Sequence, residues 1–168
     1  MTVHTTAVET NVRVATHDLD TIAAHVPDFE DLDDRARLAA LRTVPAEHVG
    51  RSRNTTCVGL HQWAVDGLAG NSVPAISEVA VGTGTSSAEA NTQLGTEVAR
   101  SVVASLEPDS PSIYITAFFG SAEANGYDIT EAGAFAGDTL LNHATFSAKP
   151  KDSQNTLTVE CTLTFSAV

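Results

Sequence analysis

The chain has 168 residues, 42% of them hydrophobic, which suffices for one folded domain and argues against general disorder. Twenty-one acidic residues oppose nine basic ones, and the resulting net charge of −12 repels phosphate backbones, against nucleic-acid binding. No apolar run approaches the roughly 18 residues of a membrane span, and the start Met1-Thr-Val-His-Thr-Thr6 lacks a basic-then-apolar secretory pattern.

Only two of the basic residues, Lys149 and Lys151, are lysines. An acidic surface poor in lysine suits a salt-rich cytoplasm, where roughly 1 M salt screens carboxylate repulsion within about 3 Å. Two cysteines, Cys57 and Cys161, are too few for a disulfide scaffold; a single bridge or two free thiols remain the alternatives.

In chain order, residues 1–16 alternate loosely at Val8, Val12 and Val14 and read as a strand or an extended arm. A helix is expected from Asp28 to Arg42, capped by Asp28, with Phe29, Leu32, Ala36 and Ala40 as its apolar stripe and Val44-Pro45 as its stop. The stripe is narrow enough to leave open whether it packs on its own domain or on a neighbouring subunit. Residues 45–56 read as a linker. A second helix is expected over Gly59–Ala69, with Leu60, Trp63, Ala64 and Leu68 on its inner side and Gly70-Asn71 ending it.

From Ile76 the pattern turns to β. Ile76–Gly82 is a strand entering a glycine turn at Gly82-Thr-Gly84-Thr85. Ser86-Ser-Ala-Glu89 has the form of a capping box, and a short helix is expected around Leu94–Ala99, followed by extended chain. Ser112–Phe119 is a strand, joined through a tight turn at Asn125-Gly126 to another at Tyr127–Glu131. Leu140–Ala148 is a further strand, and 149–153 is a turn. In the last strand Leu157, Val159, Cys161, Leu163 and Phe165 face the core, while Thr158, Glu160, Thr162 and Thr164 face water. The expectation is a mainly β, α+β chain with an antiparallel sandwich or small barrel over residues ~74–168. Its division is 1–50, an arm and amphipathic helix for inter-subunit contacts, and 51–168, the β-rich domain.

Taken in order, these signals resemble a recurrent domain of tailed-virus tail and fibre-associated proteins. Gly82 and Gly84 form its Gly-Thr-Gly-Thr turn, and Leu94, Glu97 and Arg100 its Leu-Glu-Arg element. Glu123–Gly126, with Asn125 and Gly126, precede its Glu-x-Gly-x-Phe strand at Glu131, Gly133 and Phe135. Thr139-Leu140-Leu141, Ala144-Thr145-Phe146, Lys149 and the alternating last strand complete the series, from about Asn54 to Val168. The resemblance implies a non-enzymatic virion subunit at the tail tip, baseplate or fibre base, or alternatively a capsid-vertex turret or head decoration. Its partners would be copies of itself and other virion proteins, with a host receptor reached only indirectly and no cofactor. With the charge pattern, the source expected is a virus of a salt-loving archaeon. A surface module binding sugar or protein is the alternative of another class.

Few residues invite chemistry. The glycine turn lacks a nucleotide loop's lysine, and Ser87 replaces the third glycine of the dinucleotide fingerprint. The six histidines show no metal-ligand spacing, and the Asp28–Asp34 cluster lacks a calcium loop's central glycine, so no metal site is expected. Glu97 and Arg100 can pair along a helical turn, or Arg100 can reach Glu131 across the fold. Asn54-Thr55-Thr56 is a formal glycosylation sequon.

Overall fold

A computed structural model describes residues 6–167. In chain order these form β1 (Thr6–Asp18), α1 (Leu19–His25), a 3-10 turn (Phe29–Asp31), α2 (Asp34–Leu41), β2 (His48–Arg53), β3 (Thr55–Thr56) and α3 (Val58–Leu68). Then follow β4 (Ile76–Gly82), β5 (Glu97–Asp109), β6 (Ser112–Phe119), β7 (Tyr127–Ala136), β8 (Thr139–Leu140), β9 (Asn142–Lys151) and β10 (Asn155–Ala167). The fold is mainly antiparallel β, as the sequence leads one to expect, and its sheet is nearly closed into a barrel.

The sheet runs β2-β1-β10-β6-β5-β4-β7-β9-β3, with β8 beside β7. Across the seam, Ser52 Oγ on β2 donates to the Thr145 carbonyl on β9 at 2.8 Å. Alternation supplies the interior. Leu157, Val159, Cys161 and Leu163 of β10 are fully buried against Val12 and Val14 of β1 and Ile115, Ala117 and Phe119 of β6. Burying each large side chain is worth about 1.5–3 kcal/mol, which fixes which face of every strand turns inward. Cys161 is a free thiol of this interior, and Cys57 is a free thiol outside the barrel wall. Burial pushes Cys57 up to about 11 and Cys161 to about 12, which favours the protonated thiols.

A helical layer covers part of the outer face of β6, β10 and β5. Ile22, Phe29, Leu38, Leu41 and Val44 pack around Phe118, whose ring meets Phe29 edge-on at 6.1 Å. This layer corrects the expected Asp28–Arg42 helix, which is broken into a 3-10 turn and α2. Asp28 makes no capping bond; Asp33 caps α2 instead, accepting from Ala36 N at 2.8 Å. Burying Phe29 in the cluster holds the chain in the tighter turn, and Arg37 clamps it by donating to the Phe29 and Glu30 carbonyls. The sequence reading missed α1, which Asp18 caps through Thr21 N at 2.8 Å. The same layer buries Thr158, expected to face water, while Glu160, Thr162 and Thr164 stay partly exposed.

Other local expectations also change. The 45–56 linker contains β2 and β3, so the sheet starts well before residue 74. Residues 6–18 are a strand hydrogen-bonded to β10 on one edge and β2 on the other, so segments 1–50 and 51–168 share one sheet. The expected helix at Leu94–Ala99 is instead the end of a loop running into β5. Asn125-Gly126 turns the chain at a positive φ of 82° for Gly126, but it joins strands that are not neighbours: β6 pairs β5 and β10, whereas β7 pairs β4 and β9. The Asn54 side-chain amide atoms are both buried, which hides the sequon asparagine. Lys149 and Lys151 are 7% and 1% exposed, so the exposed cationic side chains among the described residues are arginines.

Candidate functional site

β7 sends Ala132, Ala134 and Ala136 into the barrel, which leaves Glu131, Gly133 and Phe135 on its outer face. That face is covered by the loop of residues 83–96 and by the start of α3. Glu131 holds the neck of this loop. Its Oε1 accepts from Gly84 N and Thr96 N, both at 2.7 Å, and its Oε2 accepts from Gly95 N at 2.8 Å. The neck is closed further by Thr83 N donating to the Thr96 carbonyl, and by Thr130 Oγ1 donating to the Gly84 carbonyl. The ends of the loop thus meet at one carboxylate, the geometry of a compact Ω-loop.

From β9, His143 Nε2 donates to Glu131 Oε2 at 2.7 Å, and both side chains are 0% exposed. His143 Nδ1 lies 3.3 Å from Asn91 Oδ1, which also accepts from Ala88 N inside the loop. Burial by itself raises the Glu131 carboxyl, but the Thr96, Gly95 and Gly84 N–H groups and His143 outweigh it, so the group sits below its ordinary value. Gly84 is required by contact: a Cβ there would stand 2.5 Å from Glu131 Oε2. A Cβ on Gly133 would stand 2.5 Å from the Asn142 carbonyl.

The motif residues gather around this neck. Leu94, Phe135, Ala80, Leu140 and Cys57 form a small apolar cluster beneath the loop. Arg100 lies with its guanidinium 3.9 Å from the Phe135 ring centroid, a cation–π contact. It donates to both Glu97 oxygens at 2.9 and 2.8 Å and to Glu78 at 3.2 Å. The Glu97 hydrogen bond, before the Glu78 one, raises its pKa above the usual arginine value. Glu97 and Arg100 therefore pair along β5 rather than along a helix, and Arg100 does not reach Glu131, whose partner is His143. Asn125 and Gly126 lie apart from the neck: Lys151 Nζ donates to Asn125 Oδ1 at 2.8 Å, and Gly126 N donates to the Lys151 carbonyl. Sequence reasoning missed His143, Asn91, Gly95 and Thr96. The β7–β9 register, with Ala132 opposite Ala144, is what brings His143 to Glu131.

Beside the loop, α3 is anchored at its first turn, where Leu60 is fully buried. Its last turn projects. Leu68, expected on the inner stripe, is 90% exposed, with Val65 at 60% and Val58 at 57%. Trp63 is only partly buried and donates from Nε1 to the Pro74 carbonyl at 2.7 Å. A cleft of about 490 Å³ lies between α3 and the loop, lined by Val58, Gln62, Asn91 and Leu140 among others. The Glu131–His143 pair is fully enclosed, and its hydrogen bonds tie down the loop beside an exposed apolar helix face. Comparisons with protein-family models, curated proteins and solved structures found no match.

Proposed function

We propose that this protein is a non-enzymatic structural subunit that acts by assembling with copies of itself, in the tail tip, baseplate or fibre base of a tailed virus. The observation that carries the reading is the outward apolar face of α3, where Val58, Val65 and Leu68 stand exposed beside a loop pinned by the buried Glu131 carboxylate and its hydrogen bonds. Exposed apolar surface next to a rigid loop is what a protein–protein contact needs, since little conformational entropy is lost when such a surface is covered. Assignment to a virion rests on the order of the sequence signals from Asn54 to Val168, and the lysine-free surface supports a host of high internal salt.

Replacing Val65 and Leu68 together by asparagine and glutamine tests assembly. Both side chains are exposed, so the variant is expected to melt within a few degrees of the parent while its native mass falls. An unchanged mass would remove α3 from the contact. Tail-component genes on both flanks are the expected neighbourhood; a capsid gene alongside would move the subunit to a vertex or decoration. Flanking metabolic genes would contradict the virion assignment.

A further inference from the structure

A second surface carries charge of the opposite sign to the rest of the molecule. Two adjoining grooves of about 490 and 370 Å³ lie on the outer face of β2, β1 and β10, sharing Arg13 and Glu160. Four of the chain's seven arginines line them: Arg13, Arg42, Arg51 and Arg53. The strand register puts Arg51 directly opposite Arg13, and Arg13 opposite Glu160. Like charges placed directly across a ladder repel, and Glu160 is the single carboxylate among the residues lining the two grooves, so a further anion over Arg13 and Arg51 would relieve the pair. Among the described residues, Arg37 and Arg100 each have carboxylates within 4.0 Å, whereas none of the four groove arginines does. The wall of the first groove holds two further unsatisfied groups. His17 and Thr158 are 4% and 8% exposed, and His17 Nδ1 and Thr158 Oγ1 have no hydrogen-bond partner.

The complementary surface is on the same chain. Asp28-Phe-Glu-Asp-Leu-Asp-Asp34 places five carboxylates in seven residues. Asp33 is used to cap α2 and Asp34 pairs with Arg37, but Asp28, Glu30 and Asp31 are exposed, with only a 3.9 Å approach of Glu30 to Arg37. This acidic run precedes α2, while Leu38, Leu41 and Arg42 at the other end of α2 line the groove. The helix holds the two apart by roughly 12 Å, so a copy of the chain does not fill its own groove. We infer that the arginine groove receives the Asp28–Asp34 segment of a second copy, a head-to-tail contact between subunits. Such a contact is heterologous, and it closes into a ring when the rotation per subunit divides a full turn. The inference rests on the assembly reading above and gives that assembly its polarity. An extended phosphate backbone is the poorer occupant, because it would continue beyond the groove onto the surface of a chain with net charge −12.

A charge exchange tests the contact. Arg51→Glu with Arg53→Glu, and Glu30→Lys with Asp31→Lys, all alter exposed side chains. The self-association constant is read from light scattering over a dilution series at an ionic strength of about 0.15 M, where screening extends about 8 Å. Each double variant alone is expected to weaken association roughly tenfold or more, and the quadruple variant to return within about threefold of the parent. Unchanged melting temperatures confirm that the fold is intact. Association indifferent to both double variants, or no recovery in the quadruple variant, overturns the contact. So does a parent chain that binds a short single-stranded nucleic acid through Arg51 and Arg53 while its self-association ignores them. A parent that stays a single chain at every concentration removes both this contact and the assembly reading; one that assembles but ignores the exchange removes this contact alone.

Discussion

Glu131 meets four hydrogen-bond donors inside a site that water does not reach, and every donor depends on it. Removing the carboxylate strands three backbone N–H groups and His143 Nε2 without partners. Glu131→Ala is therefore expected to cost about 3–5 kcal/mol in urea unfolding, well beyond an ordinary surface substitution. A loss under about 1 kcal/mol would mean that the loop is held by something else. The sign of the pH dependence follows from the depressed folded value. The unfolded chain takes up the proton first as pH falls, so the Glu131 contribution is complete above its usual value of 4.5 and fades as pH drops through the lower folded one. Glu131→Gln should flatten this acid limb, measured as unfolding free energy against pH. Glu131 was legible in the sequence as a member of an ordered motif, yet its partner was not. A histidine twelve residues along gives no local sign of contact, because the pairing is set by the β7–β9 register.

At the scale of elements, β1 shows how position in a sheet outweighs the look of a terminal segment. Its weak alternation suits an arm as well as a strand, but pairing to β10 from Thr6–Ala167 to Asp18–Asn155 makes it part of the barrel wall. Deleting residues 1–18 is expected to abolish cooperative thermal unfolding, followed by circular dichroism, because Val12 and Val14 leave the core and both neighbouring strands lose a ladder. A truncated chain that folds normally and loses only assembly would restore the arm reading. Strand β10 was legible in its period-two alternation, which sets its inward face, but not in the burial of Thr158 under the helical layer. The helix expected at 28–42 was only partly so: its stripe is short, and burial of Phe29 against Phe118, a residue remote in sequence, decides where the helix begins. Leu68 fits a helical stripe by spacing, but α3 projects past the surface that would have covered it.

For the whole molecule, a nearly closed barrel satisfies its own interior and carries two coverings on its outer face. One covering is the α1–α2 layer, with acidic residues at one end and the arginine groove at the other. The second is the pinned loop with the apolar face of α3. Together they give a rigid block with unlike surfaces, suited to being repeated. The mainly β architecture was legible in the alternation of the strands, but which helix faces stay uncovered depends on tertiary packing that no local pattern announces. The most direct test is the native mass of the unmodified chain, by multi-angle light scattering in roughly 1 M salt over a hundredfold dilution. The account predicts a fixed multiple of 17.5 kDa that gives way to smaller species only on strong dilution. A single 17.5 kDa particle at every concentration would contradict it.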